Sequence, residues 1–179
     1  ILLVMRYLAL AAAIVALARP QQSFRQTQRQ VSGVDLMMVM DTSASMNIED
    51  LAEESRMATA KRTVENFVKR RTDDRIGYII FSGEAMTLVP PTLDYGLVLR
   101  ELRRTDTGMV KDGTAIGDGL ALAVNRLRNS KAKSRVIILL TDGENNVGQV
   151  DPLTAGDLAA GYGLKVYTIA IGREGRVRM

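Results

Sequence analysis

The sequence predicts an α/β fold: a doubly wound, mostly parallel sheet with one antiparallel edge strand, helices on both faces, and an apolar helix in front of it. Three observations carry this. Apolar runs of strand length, residues 34–40 and 135–140 among them, lack polar alternation, as strands covered on both faces do. Segments with helical spacing lie between them, which implies parallel strands joined by helical crossovers. Two of the runs end in an aspartate, Asp41 and Asp142, at the sheet edge where open α/β folds hold their ligands.

Residues 1–19 are almost wholly apolar, broken by Arg6 and Tyr7. A membrane-spanning helix needs about 20 apolar residues, so this segment reads as part of a transmembrane helix. A signal peptide cleaved after Ala16-Leu17-Ala18 is the rival reading. Residues 20–32, rich in Gln and Arg, read as a juxtamembrane linker, and Arg19, Arg25 and Arg29 favour the cytoplasmic side by the positive-inside rule. Residues 33–179 form the folded domain, expected to be incomplete at its C-terminal end.

Within that domain the first strand is 34–40. Residues 51–71 form a helix, with Met57, Ala60, Val64, Phe67 and Val68 recurring on one face. Residues 75–81 are the second strand. Ser82-Gly83 turns the chain, and 85–89 returns as a short antiparallel edge strand that Pro90-Pro91 stops. Asp94 caps a helix running to residue 103, and 105–113 is a polar loop. Residues 114–128 are a helix with Ile116, Leu120, Val124 and Leu127 on one side. A core strand at 135–140, a helix at 153–162 and a strand at 164–171 complete the alternation.

Composition narrows the chemistry. The chain has no cysteine and no histidine, which excludes thiol nucleophiles, zinc–thiolate sites and serine–histidine–carboxylate catalysis. Net charge is +4, but aromatics are few and no stacking motif is present, so nucleic acid is not an expected partner. The informative cluster is Asp41-Thr42-Ser43-Ala44-Ser45. One carboxylate and two hydroxyls within five residues are hard oxygen donors of the kind Mg2+ or Mn2+ prefers. Taken singly, Asp41 and Asp142 are as readily explained as helix caps or Asx turns. Thr114 is as readily explained as an N-cap.

Asp41-Thr42-Ser43-Ala44-Ser45, Thr114 after Asp112-Gly113, and Thr141-Asp142-Gly143 together resemble the three parts of a metal-ion-dependent adhesion site (MIDAS), the mark of the von Willebrand factor A (VWA) domain. The apolar segment ending Ala16-Leu17-Ala18-Arg19-Pro20-Gln21 and the run Asp112-Gly113-Thr114-Ala115-Ile116-Gly117-Asp118 are similar to those of the bacterial aerotolerance (BatA-like) membrane proteins. The resemblance implies a Rossmann-like VWA fold with strand order 3-2-1-4-5-6, which brings Asp41 and Asp142 to the topological switch point. It implies a metal set of Asp41, Ser43, Ser45, Thr114 and Asp142 holding Mg2+, or Mn2+ or Ca2+ in its place. Neutral hydroxyls next to the ion leave it electrophilic, so a carboxylate from a protein partner completes the shell.

The same resemblance suggests MoxR-like AAA+ ATPases and sister VWA proteins as partners. It suggests a bacterial inner-membrane location with the domain on the periplasmic side, against the direction in which the basic linker points. Two other readings stand beside this non-enzymatic one. An Mg2+-dependent phosphoaspartyl hydrolase also begins with an Asp after a core strand, but such enzymes carry a second acid two positions on, where this chain has Ser43. A purely structural VWA domain with an unoccupied site is the third.

Overall fold

The computed structural model describes residues 1–17, 33–50, 54–143 and 145–172. The chain divides into two compact units, Ile1–Gln30 and Val31–Met179. The linker expected at residues 20–32, the first residues of the helix expected at 51, Glu144 and residues 173–179 lie outside the described residues.

The first unit contains α1 (Leu2–Leu17). Its described side chains, residues 1–12, are exposed although nearly all are apolar. The transmembrane reading finds no support in this helix. Among the described residues no helix is long and apolar enough to cross a membrane.

The second unit is built on five strands, β1 (Val34–Asp41), β2 (Arg75–Phe81), β3 (Ala85–Thr92), β4 (Ser134–Thr141) and β5 (Lys165–Ala170), in the order β3-β2-β1-β4-β5. All pairings are parallel except β2 with β3. This is the expected doubly wound sheet with one antiparallel edge. The helices are α2 (Arg56–Lys69), α3 (Tyr95–Arg104), α4 (Ile116–Leu127) and α5 (Pro152–Gly161).

β1 shows why its sequence lacks alternation. Leu36, Met38 and Met40 face one side, where Met57, Ala60, Val64 and Val68 of α2 and Val98 and Leu102 of α3 cover them. Met37 and Val39 face the other, against Leu120, Ala123, Val124 and Leu127 of α4 and Ala155 and Ala159 of α5. Each fully buried large side chain contributes about 1.5–3 kcal/mol, so both faces favour the same register. The strand is pinned at its start by Asp35, a buried carboxylate that accepts from Arg75 Nε at 2.7 Å, from Arg75 Nη2 and from Ser130 Oγ.

Two boundaries differ most from expectation. The helix expected over 51–71 begins at Arg56, because Ser55 Oγ accepts from Ala58 N and caps it there; Ala44–Asn47 form a separate 3-10 turn. β3 runs on through Pro90 and Pro91 rather than stopping. An outer strand tolerates missing N–H donors, and its register with β2 shifts between Ile76 and Ile79. β5 is exposed along its length, with Val166, Tyr167 and Ile169 open to solvent.

Candidate metal centre

β1 and β4 lie side by side with Val39 opposite Leu139 and Met40 opposite Leu140. Their carboxyl ends therefore open at the same place, between the two halves of the sheet. Asp41 is the last residue of β1, and Asp142 follows the last residue of β4.

Asp41 is fully buried. One carboxylate oxygen accepts from Ser43 N at 2.9 Å and the other from Thr141 Oγ1 at 2.6 Å. Burial pushes its carboxyl above the usual range, and the charge of Asp142 adds to this. The hydrogen bonds from Ser43 and Thr141 act against the shift. Thr42 sets the turn that follows, its N–H and its hydroxyl both donating to the carbonyl of Phe81 at 2.8 and 3.0 Å. Ser43 and Ser45 then point the same way: their Oγ atoms are 3.0 Å apart, and Ser45 Oγ donates to Asp142 Oδ1 at 2.8 Å. One chain of polar contacts thus joins Asp41, Ser43, Ser45 and Asp142.

Thr114 is brought in by different means. It is buried, and its Cγ2 lies 3.9 Å from where a Cβ on Gly143 would stand, beside the turn that carries Asp142. Its hydroxyl makes no hydrogen bond among the described residues and none to the other four. It does not cap α4: that position is Ala115, which has no side-chain cap. The N–H groups there are taken instead by the loop after β4. Asn146 Oδ1 accepts from Thr114 N at 2.9 Å and Asn145 Oδ1 from Ile116 N at 2.8 Å. Asp118 answers from the helix, accepting from Val150 N at 2.8 Å and Gln149 N at 3.0 Å. Gly117 allows the approach, because a Cβ there would stand 1.8 Å from the carbonyl oxygen of Val150.

Sequence reasoning missed Arg56. Its Nη1 lies 2.8 Å from Asp142 Oδ2, and its Nε and Nη2 clasp Asp50 at 3.0 and 2.6 Å. The side chain of Asp142 is fully enclosed. These two carboxylates hold the guanidinium well above its ordinary pKa. Only helix spacing marked this region in the sequence, and nothing there pointed Arg56 at a residue 86 positions away. Asn145, Asn146 and Asp118 were missed as the fasteners of Thr114 for the same reason.

Among the described residues, no group of three or more His, Cys, Asp and Glu is placed to hold a metal ion. The donor set here is two carboxylates and three neutral hydroxyls. All are hard oxygens, the donor type that a small divalent cation prefers.

Comparison with known proteins bears on the fold. The model of the von Willebrand factor type A domain matches residues 36–144. An aerotolerance-related membrane protein from Bacteroides fragilis superposes with a TM-score of 0.72 at 31% identity, covering 82% of this chain and 76% of that one. BatB from Bacteroides thetaiotaomicron gives 0.71 at 34%, covering 77% and 66%. An uncharacterized protein of Borreliella burgdorferi is 31% identical over 166 residues, which are 93% of this chain and 49% of that protein. The chain spans about half the length of the curated relatives it matches. A more distant structure, proximal thread matrix protein 1 from the mussel byssus with a zinc-occupied MIDAS motif, shares the fold at 23% identity and a TM-score of 0.65, over 77% of this chain and 35% of that one. With the domain model covering most of the sheet and a solved relative sharing both fold and sequence, the chain belongs to the von Willebrand factor type A domain family.

Proposed function

We propose that this chain is a membrane-associated, non-enzymatic binding module whose Asp41, Ser43, Ser45, Thr114 and Asp142 hold a divalent cation that grips a carboxylate of a partner protein. The observation that carries the reading is Ser45 Oγ, 3.0 Å from Ser43 Oγ and 2.8 Å from Asp142 Oδ1, which ties the loop after β1 to the end of β4. Residues about a hundred positions apart are gathered there, the chain has no histidine, and Ser43 stands two positions after Asp41 where a phosphoaspartyl enzyme carries its second acid.

The cation would supply Lewis acidity toward an incoming oxygen. The residues of the chain do the rest. The three hydroxyls give oxygen donors without adding charge, and the two carboxylates provide the attraction. Thr141 and the Ser43 N–H hold Asp41 in place. Arg56 offsets part of the charge of Asp142, which favours a partner's carboxylate over repulsion. Mg2+ fits this set, as do Mn2+ and Ca2+.

The exposed apolar surface of α1 is the element that meets lipid. Structural relatives described as membrane proteins support that association. The family resemblance supports placing the domain on the outer side of a bacterial inner membrane. It also suggests partners of the MoxR-like AAA+ type and sister proteins with the same domain.

The test is affinity capture from a bacterial lysate with the full chain, with and without EDTA, beside Asp41→Ala. Partners retained with cation and released by EDTA, and absent from the variant, support the reading. Retention indifferent to both would overturn it.

A further inference from the structure

The opposite pole of the sheet carries a second feature. The amino ends of β1, β2, β4 and β5 meet there, roughly 25 Å from the metal centre by the length of an eight-residue strand. From Gly119 through Thr141 the chain has five basic residues, Arg126, Arg128, Lys131, Lys133 and Arg135, and no acid. They lie at the end of α4, in the loop that follows, and at the start of β4. None forms an ion pair among the described residues, and Arg126, Arg128, Lys131 and Lys133 are exposed.

A cavity of about 400 Å³ opens among them, lined by Arg75, Arg126, Asn129, Ser130 and Lys131 together with Asp35 and Pro91. The carboxylate in that lining is already spent. The side chain of Asp35 is 3% exposed and takes both Arg75 and Ser130. Arg126 gives its Nε to Thr87 Oγ1 at 3.0 Å, and its terminal nitrogens have no partner among the described residues. Arg126 and Lys131 thus present uncompensated charge at the mouth of the cavity, and Arg128 and Lys133 extend it over the surface.

We infer that this basic pole is a docking surface for the anionic headgroups of a lipid bilayer. Charge complementarity supports a bilayer over a small anion. The cations are exposed and spread over a surface rather than converged on one fixed geometry, so they suit a diffuse negative field. Topology supports it too. β1 opens at Val34, so the chain enters the folded domain at this pole. The pole at the far end of the strands, which carries Asp41, Asp50 and Asp142, is then directed away from lipid and toward partners. The inference rests on the membrane association proposed above, but adds an electrostatic contact made by the folded domain itself.

The chain has no cysteine, so single labels are clean. The full chain is labelled either at Asn129→Cys, at the basic pole, or at Met109→Cys, in the loop before α4 at the metal-centre pole. Vesicles are phosphatidylcholine alone, or phosphatidylcholine with about a third phosphatidylglycerol. We expect binding to be about tenfold or more stronger with phosphatidylglycerol. We expect shielding of the label at position 129 and not at 109, and loss of the phosphatidylglycerol gain in Arg126→Glu/Lys131→Glu and at high salt. Arg128→Glu/Lys133→Glu, which alters only exposed side chains, serves if the first pair lowers the melting temperature. Equal binding to both vesicles, shielding at 109 instead of 129, or charge reversals without effect would overturn the inference. Binding to neutral vesicles reports on α1 alone: its absence counts against the membrane reading, and its presence without a phosphatidylglycerol gain counts against this docking surface.

Discussion

Arg56 is the residue that bears most on the proposed metal centre. A guanidinium 2.8 Å from Asp142 opposes a second positive charge at the same carboxylate. Yet it also spares a partner's carboxylate from meeting two unscreened aspartates. Arg56→Ala should therefore tighten divalent-cation binding several-fold and weaken capture of an acidic partner, a split that calorimetry and affinity capture read separately. Weaker cation binding in the variant would mean that Arg56 chiefly holds Asp142 in place. At this scale the sequence marked the candidate donors but not the residues that hold them. Asp41, Ser43 and Ser45 announce themselves by spacing within five positions, and Asp142 by ending a core strand. Arg56, Thr141 and Asn146 act on partners 32 to 100 positions away, and local pattern carries no trace of such pairs.

Among the elements, α4 shows how packing overrides propensity. Replacing a helical glycine by alanine ordinarily gains up to about 1 kcal/mol. At Gly117 the new Cβ would stand 1.8 Å from the Val150 carbonyl oxygen, and backbone must move. Gly117→Ala should cost about 1–3 kcal/mol in urea denaturation and loosen the loop that fastens Thr114; unchanged or higher stability would contradict the contact. α2 and α3 are linked at the surface by Glu65, which takes Arg103 at 2.7 Å and Lys69 at 2.9 Å. Those cations hold its carboxyl at about 2, below its ordinary 4.5. The contribution is thus complete above pH 4.5 and is lost as pH falls toward 2. Glu65→Gln should melt slightly lower than the parent at neutral pH and low salt, with the gap closing near pH 2 and in high salt. A gap that persists at both would show that the contact is not ionic. Element order and type were legible because both faces of β1 are apolar and the helices are periodic. The ends were less so: Ser55 starts α2 later than its apolar spacing suggests, and β3 passes through two prolines because edge position, invisible in sequence, removes their penalty.

Within the folded domain the two ends of the parallel strands differ in charge. Oxygen donors collect where β1 and β4 finish, and unpaired lysines and arginines collect where they begin. The topology that brings Asp41 and Asp142 together also sends the basic α4–β4 loop to the other end, since parallel strands put all their carboxyl ends on one side. That much follows from reading βα alternation with aspartates at strand ends. The claim on which the functional reading depends is that the gathered oxygens hold a cation. Calorimetric titration of the full chain with Mn2+, repeated with Asp142→Asn and Ser43→Ala, tests it directly. One ion bound per chain, with the heat abolished in both variants while their melting temperatures stay near the parent's, is the predicted result. The same isotherm in parent and variants, or no heat from Mn2+, Mg2+ or Ca2+ at millimolar concentration, would contradict it.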